Sequence, residues 1–377
     1  GIKIFISEVC VLFTILAFFF FFLLKKKKII VNSFYTPFII AFLFLFVVNF
    51  SFVTVDTQKS FLYFLHFLES FLLFYITLNL IKDQPQERLN LIRVIILAAF
   101  IQSVIGILQH FTGKFGANFI SDRGYLGILK LTSGRVWHAI GTMGTFNVLG
   151  SYLGVCLCIM LPLIFDPNRK KRTRWIFLAI FSAFIFTYSR GALLALTAGS
   201  IPILFKKLPR KQFIIILATI IVMASFMTAK AKTDRYYMDT VGYEGRKNIW
   251  ERPWAVISHN YKNLVMGTGA NTYEKVVQYP PNIAPEYRGL WFAHNQYILL
   301  WQEFGLSGLG LFIIFFGVII FHNLSIKNKT SDFEYNLKLS MVGIVILSMV
   351  HGYFDHQFTL VHMRNHFFII LALSELT

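Results

Sequence analysis

The chain has 377 residues, of which 56% are hydrophobic and 14% charged, and its mean hydropathy is +0.62. A soluble domain carries about 25% charged residues, so this composition excludes an ordinary soluble protein and indicates a polytopic helical membrane protein. The formal net charge of +18 is assigned to basic loops that orient membrane helices, because this explains the charge without a nucleic-acid partner.

Apolar segments long enough to cross a bilayer recur along the whole chain. The expected fold is all-α and polytopic, with about 11 transmembrane helices in one integral membrane domain over residues 1–377. The segments are 4–24, 30–55, 60–81, 91–111, 143–165, 175–188, 191–205, 213–229, 295–322, 337–354 and 364–377.

The short connections alternate between basic and nearly uncharged, which predicts their sides of the membrane. The basic loops, expected in the cytoplasm, contain Lys25 to Lys28, Lys82 with Arg88, Arg169 to Arg174, Lys206 to Lys211, and Lys327 with Lys329. The opposite loops contain only Lys59, Arg190 and Arg364, so Gly1 is expected outside. The run Lys25 to Lys28 follows the first apolar segment, an order that does not fit a signal peptide.

Two outer connections, 112–142 and 230–293, are much longer than the others. Connections of this length are typically functional or disordered. The second contains Trp250, Trp254 and Trp291, which favours a large folded loop on the outer surface of the membrane.

Most polar residues in the apolar segments have structural explanations. His66 and Glu69 are three residues apart and are expected to pair with each other or with a neighbouring helix. Four histidines and Asp355 lie between 351 and 366, where solvation is favoured over metal binding. The cysteines, Cys10, Cys156 and Cys158, have no metal-binding spacing. No metal and no cofactor are expected.

Three outer segments combine polar residues with apolar surroundings. The first, TYSRGALLAL, places Arg190 between two apolar runs, where a tight turn with a snorkelling arginine is the alternative reading. The second, GYEGRKNIWERPW, places Arg246 and Trp250 on one helical face, which an interfacial amphipathic helix would also explain. The third, AHNQYILLWQEFG, contains His294 and Asn295, which would otherwise be a polar helix start.

Together, and in this order, these segments resemble the O-antigen ligase and polymerase superfamily of bacterial membrane enzymes. The similar motifs lie within roughly 130–360 and are GTMGTFNVLG (Gly141 to Gly150), SRGALLAL (Ser189 to Leu196), GRKNIW (Gly245 to Trp250), VMGTGANTY (Val265 to Tyr273) and AHNQYILLWQEFGLSGL (Ala293 to Leu309). The chain departs from the family pattern at Phe146, where a proline is usual. The family has about twelve helices with a cytoplasmic N-terminus, so the expectation is that one leading helix is missing here.

The resemblance implies a metal-independent glycosyltransferase in the bacterial inner membrane, acting at the periplasmic face. Its donor would be a glycan on undecaprenyl diphosphate, and its acceptor a hydroxyl of lipid A core or of a growing glycan. Membrane lipids are the other expected partners.

The resemblance also implies roles for individual residues. Arginine suits the leaving diphosphate because its guanidinium binds phosphate oxygens in a bidentate manner, and histidine suits deprotonation of the acceptor hydroxyl near neutral pH. Glu303 lies about 900° around a helix from His294, so it is expected to be structural and not its partner. The expected catalytic residues are His294, Arg246 and Arg190, and the expected substrate-binding residues are Asn295, Asn147, Arg135, Trp250, Arg252 and Arg288.

Alternatives to a ligase remain open at this point. A polymerase of the same superfamily carries the same motifs. A flippase for lipid-linked glycans would need charged residues along a midplane cavity, and a purely structural protein would use its arginines to anchor lipid headgroups.

Overall fold

The computed structural model describes residues 6–25, 29–82, 84–113, 128–131, 134–165, 171–216, 218–219, 243–277, 293–325 and 331–375. Helices dominate the described part, as the composition predicts. Their bounds are α1 (Ile6–Lys25), α2 (Thr36–Val48), α3 (Thr57–Ile81), α4 (Pro85–Thr112), α5 (Phe146–Ile164), α6 (Lys171–Phe186), α7 (Arg190–Lys207), α8 (Tyr243–Ile257), α9 (Tyr261–Met266), α10 (Tyr273–Val276), α11 (Gln296–Leu324), α12 (Asp332–Phe354) and α13 (Val361–Glu375). A short antiparallel hairpin, β1 (Ile128–Leu131) with β2 (Gly134–Trp137), pairs Ile128 with Trp137.

Six helical stretches among the described residues are long and apolar enough to cross a membrane. They are α2 with the π-helical turn Asn49–Val53 that continues it, α3, α4, α5, α11 and α12. The chain is therefore a multi-pass membrane protein. The full count of eleven spans and the periplasmic side of the large loop stay predictions, and most of the expected span 213–229 lies outside the described residues.

The chain divides into two compact units, which are described separately. The first unit contains Gly1–Leu89, Ile249–Gly317 and Phe358–Thr377, and the second contains Asn90–Asn248 and Val318–Gln357. The expectation of one integral membrane domain stays a prediction.

The second unit is held together by close helix packing at small residues. α7 crosses α12 where Gly199 faces Gly343, and a Cβ at Gly199 would lie 2.4 Å from the Gly343 carbonyl oxygen. α5 meets α7 where a Cβ at Gly150 would lie 2.9 Å from the Ala192 Cβ. Small side chains allow the helices to approach this closely. Close packing of this kind stabilises helix pairs in a membrane, where lipid provides no hydrophobic force between them.

The first unit buries one arginine that the sequence placed in a connecting loop. Arg364 instead lies in α13 and is 0% exposed. Its Nε donates to Ser70 Oγ at 3.0 Å, its Nη1 donates to the Phe358 carbonyl at 3.0 Å, and its guanidinium lies 3.7 Å from the Phe67 ring centroid. These partners compensate in part for burying a cation, while Nη2 has no hydrogen-bond partner among the described residues.

The pairing expected of His66 is present in the same unit. His66 Nδ1 lies 3.8 Å from Glu69 Oε2, and Asn365 Nδ2 donates to Glu69 Oε1 at 2.6 Å. α3 and α13 are thereby joined by polar contacts as well as by apolar packing.

Candidate functional site

The residues around His294 begin α11 in the first unit. Asn295 is 3% exposed, and its Oδ1 accepts hydrogen bonds from the backbone N–H groups of Tyr297 at 3.0 Å and Ile298 at 3.1 Å. Asn295 therefore caps the helix. His294 is half-buried and has φ +42°, a backbone conformation that costs a non-glycine residue about 1–3 kcal/mol and is concentrated at functional sites.

The helix α8 is tied to the residue before His294. Trp250 Nε1 donates to the Ala293 carbonyl at 2.8 Å, and Arg252 nearby is half-buried. The Arg246 backbone lies one turn earlier in α8, while its side chain lies outside the described part of the chain. Arg288 also lies outside the described residues. Trp250 thus helps to fix the backbone that presents His294.

A break in α11 provides a second attachment for the long loop. Gly305, with φ +67° and ψ −166°, interrupts the helix. The carbonyl groups released just before it accept hydrogen bonds from Thr268, whose N–H donates to Gln302 at 2.9 Å, and from Gly269, whose N–H donates to Glu303 at 3.1 Å. The loop backbone therefore completes the interrupted hydrogen bonding of the helix.

Glu303 and Asn49 complete this attachment. Asn49, in the π-helical turn after α2, donates from Nδ2 to the Glu303 carbonyl at 3.0 Å and accepts from the Ala270 N–H at 2.7 Å. The Glu303 side chain is 2% exposed and accepts a hydrogen bond from the Asn271 backbone. These contacts support the structural role proposed for Glu303.

The second unit brings Asn147 and the Ser-Arg-Gly turn together. Ser189 caps α7 by accepting from the Ala192 N–H at 3.3 Å, and its Oγ donates to Asn147 Oδ1 at 2.7 Å. Asn147 lies in the first turn of α5. Arg190 is the first residue of α7, and its side chain is exposed.

A histidine that the sequence did not single out lies against the same turn. His138 is buried, and its Nδ1 lies 2.7 Å from the Thr187 carbonyl oxygen. Its ring stacks on Phe146 at 4.5 Å and meets the Tyr188 ring edge-on at 5.6 Å. Burial lowers the pKa of His138 below its usual value, so the imidazole is neutral at pH 7. Its position three residues before Gly141 was the only sequence signal.

Two glutamines of α4 hold the loop that follows His138. Gln109 is 0% exposed, accepts from the N–H groups of Ile140 at 3.0 Å and Gly141 at 2.8 Å, and donates to the Gly141 carbonyl at 2.9 Å. Gln102 makes two further bonds to Thr142, at 2.6 and 2.9 Å. The Arg135 backbone lies in β2, just before this loop, and its side chain lies outside the described part.

The expected site residues thus form two groups. His294, Asn295, Trp250 and Arg252 lie in the first unit with Glu303, whereas Asn147 and Arg190 lie in the second. The expected absence of a metal or cofactor stays a prediction.

Comparison with known proteins adds a family match. The family model described as O-antigen ligase matches residues 175–313, a range that includes Arg190, Arg246 and His294 and excludes Asn147. The match confirms the resemblance to the O-antigen ligase and polymerase superfamily. No curated protein is significantly similar to the chain.

Proposed function

We propose that the protein is a membrane glycosyltransferase that moves a glycan from undecaprenyl diphosphate to an acceptor hydroxyl, as an O-antigen ligase does. The observation that carries this proposal is the O-antigen ligase match over residues 175–313. That range contains the three residues whose chemistry suits the reaction, Arg190, Arg246 and His294. The proposed location is the periplasmic face of the bacterial inner membrane.

In this reaction the acceptor oxygen attacks C1 of the donor sugar while the bond from C1 to the phosphate oxygen breaks. His294 takes the proton of the acceptor hydroxyl, a step that contributes about 10²–10⁴-fold to the rate. Arg190 and Arg246 stabilise the charge that develops on the departing diphosphate. The products are the glycosylated acceptor, the lipid diphosphate and a proton on His294 that passes to solvent.

The other expected residues support these three in different ways. Asn295 and Trp250 have backbone partners, so we propose that they position His294 before any contact with substrate. Asn147 accepts a hydrogen bond from Ser189, the residue directly before Arg190, and so we propose that it positions that residue. Arg252, Arg135 and Arg288 remain the proposed secondary contacts to the phosphates.

The direct test uses purified protein with a lipid-linked donor and an acceptor glycolipid. We expect His294→Ala, Arg190→Ala and Arg246→Ala to lower transfer at least 10²-fold, and Arg190→Lys to restore little because lysine lacks the planar fork. The matched controls are His259→Ala and Arg174→Ala, which remove exposed side chains of the same types. Full transfer by properly inserted His294→Ala and Arg246→Ala variants would show that the site assignment is wrong.

The same assay separates the neighbouring functions. A flippase moves its substrate without forming a glycosidic bond. In cells lacking the gene, loss of a ligase leaves bare core with polymer on its carrier, whereas loss of a polymerase leaves core bearing one repeat unit. We expect the first pattern.

A further inference from the structure

The turn before Arg190 contains one residue with an unusual backbone conformation. Tyr188 has φ +53°, a left-handed conformation that is strained for a residue other than glycine. Such a conformation persists only where the surroundings hold it. The strained residue lies directly between Thr187 and Ser189, so whatever holds those two also determines the direction in which α7 begins.

Two of the contacts that hold this turn come from the segment 138–139. His138 Nδ1 contacts the Thr187 carbonyl at 2.7 Å, and the Ala139 N–H donates to the Phe186 carbonyl at 2.9 Å. Thr187 also accepts at its Oγ1 from the Ser189 N–H at 3.3 Å. The backbone on both sides of Tyr188 is therefore held.

The tautomer of His138 follows from its partner. A carbonyl oxygen can only accept, so Nδ1 must carry the proton and donate it to Thr187. In a neutral imidazole the other nitrogen, Nε2, then has a lone pair and no proton. Stacking on Phe146 fixes the plane of the ring. The only hydrogen bond that His138 makes to this turn thus uses Nδ1.

The segment that carries His138 is itself held firmly. Gln109 makes three hydrogen bonds to the backbone of Ile140 and Gly141. α4 therefore fixes the segment that carries His138, and His138 in turn holds the turn before Arg190. The exposed guanidinium is carried by the end of a helix whose direction is determined by buried contacts.

We propose that His138 is a positioning residue for Arg190, acting through the Nδ1–H to Thr187 hydrogen bond. This rests on the proposed function, in which Arg190 binds the diphosphate of the donor. Loss of the bond leaves the Thr187 carbonyl without its donor and releases the strain at Tyr188. Arg190 then loses the orientation that allows bidentate binding of phosphate oxygens.

Two amide substitutions at His138 distinguish the roles of its two ring nitrogens. Asparagine places its amide N–H₂ near the Nδ1 of histidine, whereas glutamine places its amide near Nε2. His138→Asn should therefore keep the bond to Thr187, and His138→Gln should lose it. Both replace the imidazole with a neutral amide, so they share the loss of stacking on Phe146 and serve as controls for each other.

The first measurement is binding of farnesyl diphosphate to the purified protein in detergent, with farnesol as the probe that lacks phosphate. We expect His138→Gln to weaken farnesyl diphosphate binding about tenfold, His138→Asn to weaken it less than threefold, and farnesol binding to be unchanged in both. Adding His138→Gln to Arg190→Ala should weaken binding no further, because the histidine acts through the arginine.

The second measurement is glycan transfer. We expect His138→Gln to lose more transfer activity than His138→Asn. The loss should lie in kcat, with little change in KM for the acceptor. Equal losses in the asparagine and glutamine variants, or better retention by glutamine, would overturn the role of Nδ1. Losses that multiply in the double variant would show that His138 acts independently of Arg190.

The two proposals fail in different ways. A wild-type protein that binds farnesyl diphosphate through Arg190 but transfers no glycan would refute the proposed function and leave the positioning role standing. Transfer by the wild type, combined with the wrong order of the variants, would refute only the positioning role. A wild-type protein that neither binds farnesyl diphosphate nor transfers glycan would overturn both, whereas transfer without farnesyl diphosphate binding would refute only the positioning role.

Discussion

Replacing Gly305 with alanine tests whether the break in α11 holds the long loop. A Cβ at this position would lie 2.2 Å from the Val265 carbonyl carbon and oxygen and 2.4 Å from the Met266 nitrogen. These are backbone atoms, so no side-chain rotation relieves the collision. Residue 305 also has φ +67°. Strain of about 1–3 kcal/mol at this conformation and about 1–3 kcal/mol for overpacking together predict a destabilisation of about 2–6 kcal/mol.

The matched control is Gly310→Ala, in the same helix. A Cβ at Gly310 meets nothing within 4 Å, and alanine is favoured over glycine inside a helix by about 1 kcal/mol. Thermal unfolding in detergent, followed by tryptophan fluorescence, should place Gly305→Ala several degrees below wild type and Gly310→Ala at or above it. Limited proteolysis should also cut the segment 267–277 sooner in Gly305→Ala. Equal melting temperatures for the two variants would refute the proposed attachment.

Three further outcomes follow from single contacts, each measured by thermal unfolding against wild type. Asn49→Ala should destabilise by about 2–4 kcal/mol, because it leaves the buried Ala270 N–H without its acceptor and removes one of the two donors to the Glu303 carbonyl; a change below about 0.5 kcal/mol would contradict this. Gln109→Leu should cost a similar amount through its three lost bonds, and an unchanged melting temperature would show that the loop is held otherwise. Contact with Lys275 at 2.7 Å lowers the pKa of Asp56. The stability that this ion pair contributes is therefore present above the unfolded pKa of about 3.9 and is lost as pH falls through the lower pKa of the folded state. Asp56→Asn should therefore melt below wild type at pH 7 and converge with it in acid, whereas a gap that persists at pH 2 would exclude the carboxylate as its source.

The membrane class and most helices could be predicted from the sequence, because in lipid the backbone must satisfy its own hydrogen bonds and apolar segments therefore become helices. The segment predicted at 60–81 is α3, and the one predicted at 143–165 is α5. The motif residues could be located as well. Arg190 does begin a helix after a short turn, and Asn295 does precede one.

The break at Gly305 could not be predicted, because apolar runs continue on both sides of it, from Ile298 to Trp301 and from Leu311 to Phe316. A glycine inside an apolar helix is ordinary in sequence. Val265, forty residues earlier, approaches so closely that a Cβ at residue 305 would collide with its carbonyl group, and residue 305 has a positive φ. Helix continuity depended on a distant backbone segment and not on local propensity.

The partners of the polar residues were likewise decided by the tertiary structure. Asn49 meets Glu303 across 254 positions, and His138 meets Thr187 across 49. Residue types along the chain determine which groups need a hydrogen-bond partner when buried, since each costs free energy without one. Which partner is supplied depends on how the helices pack, and periodicity in a single sequence contains no information on that packing. For this reason the sequence alone singled out Arg190 and His294 as candidates, whereas the contacts that hold their backbone in place were found only in the folded chain.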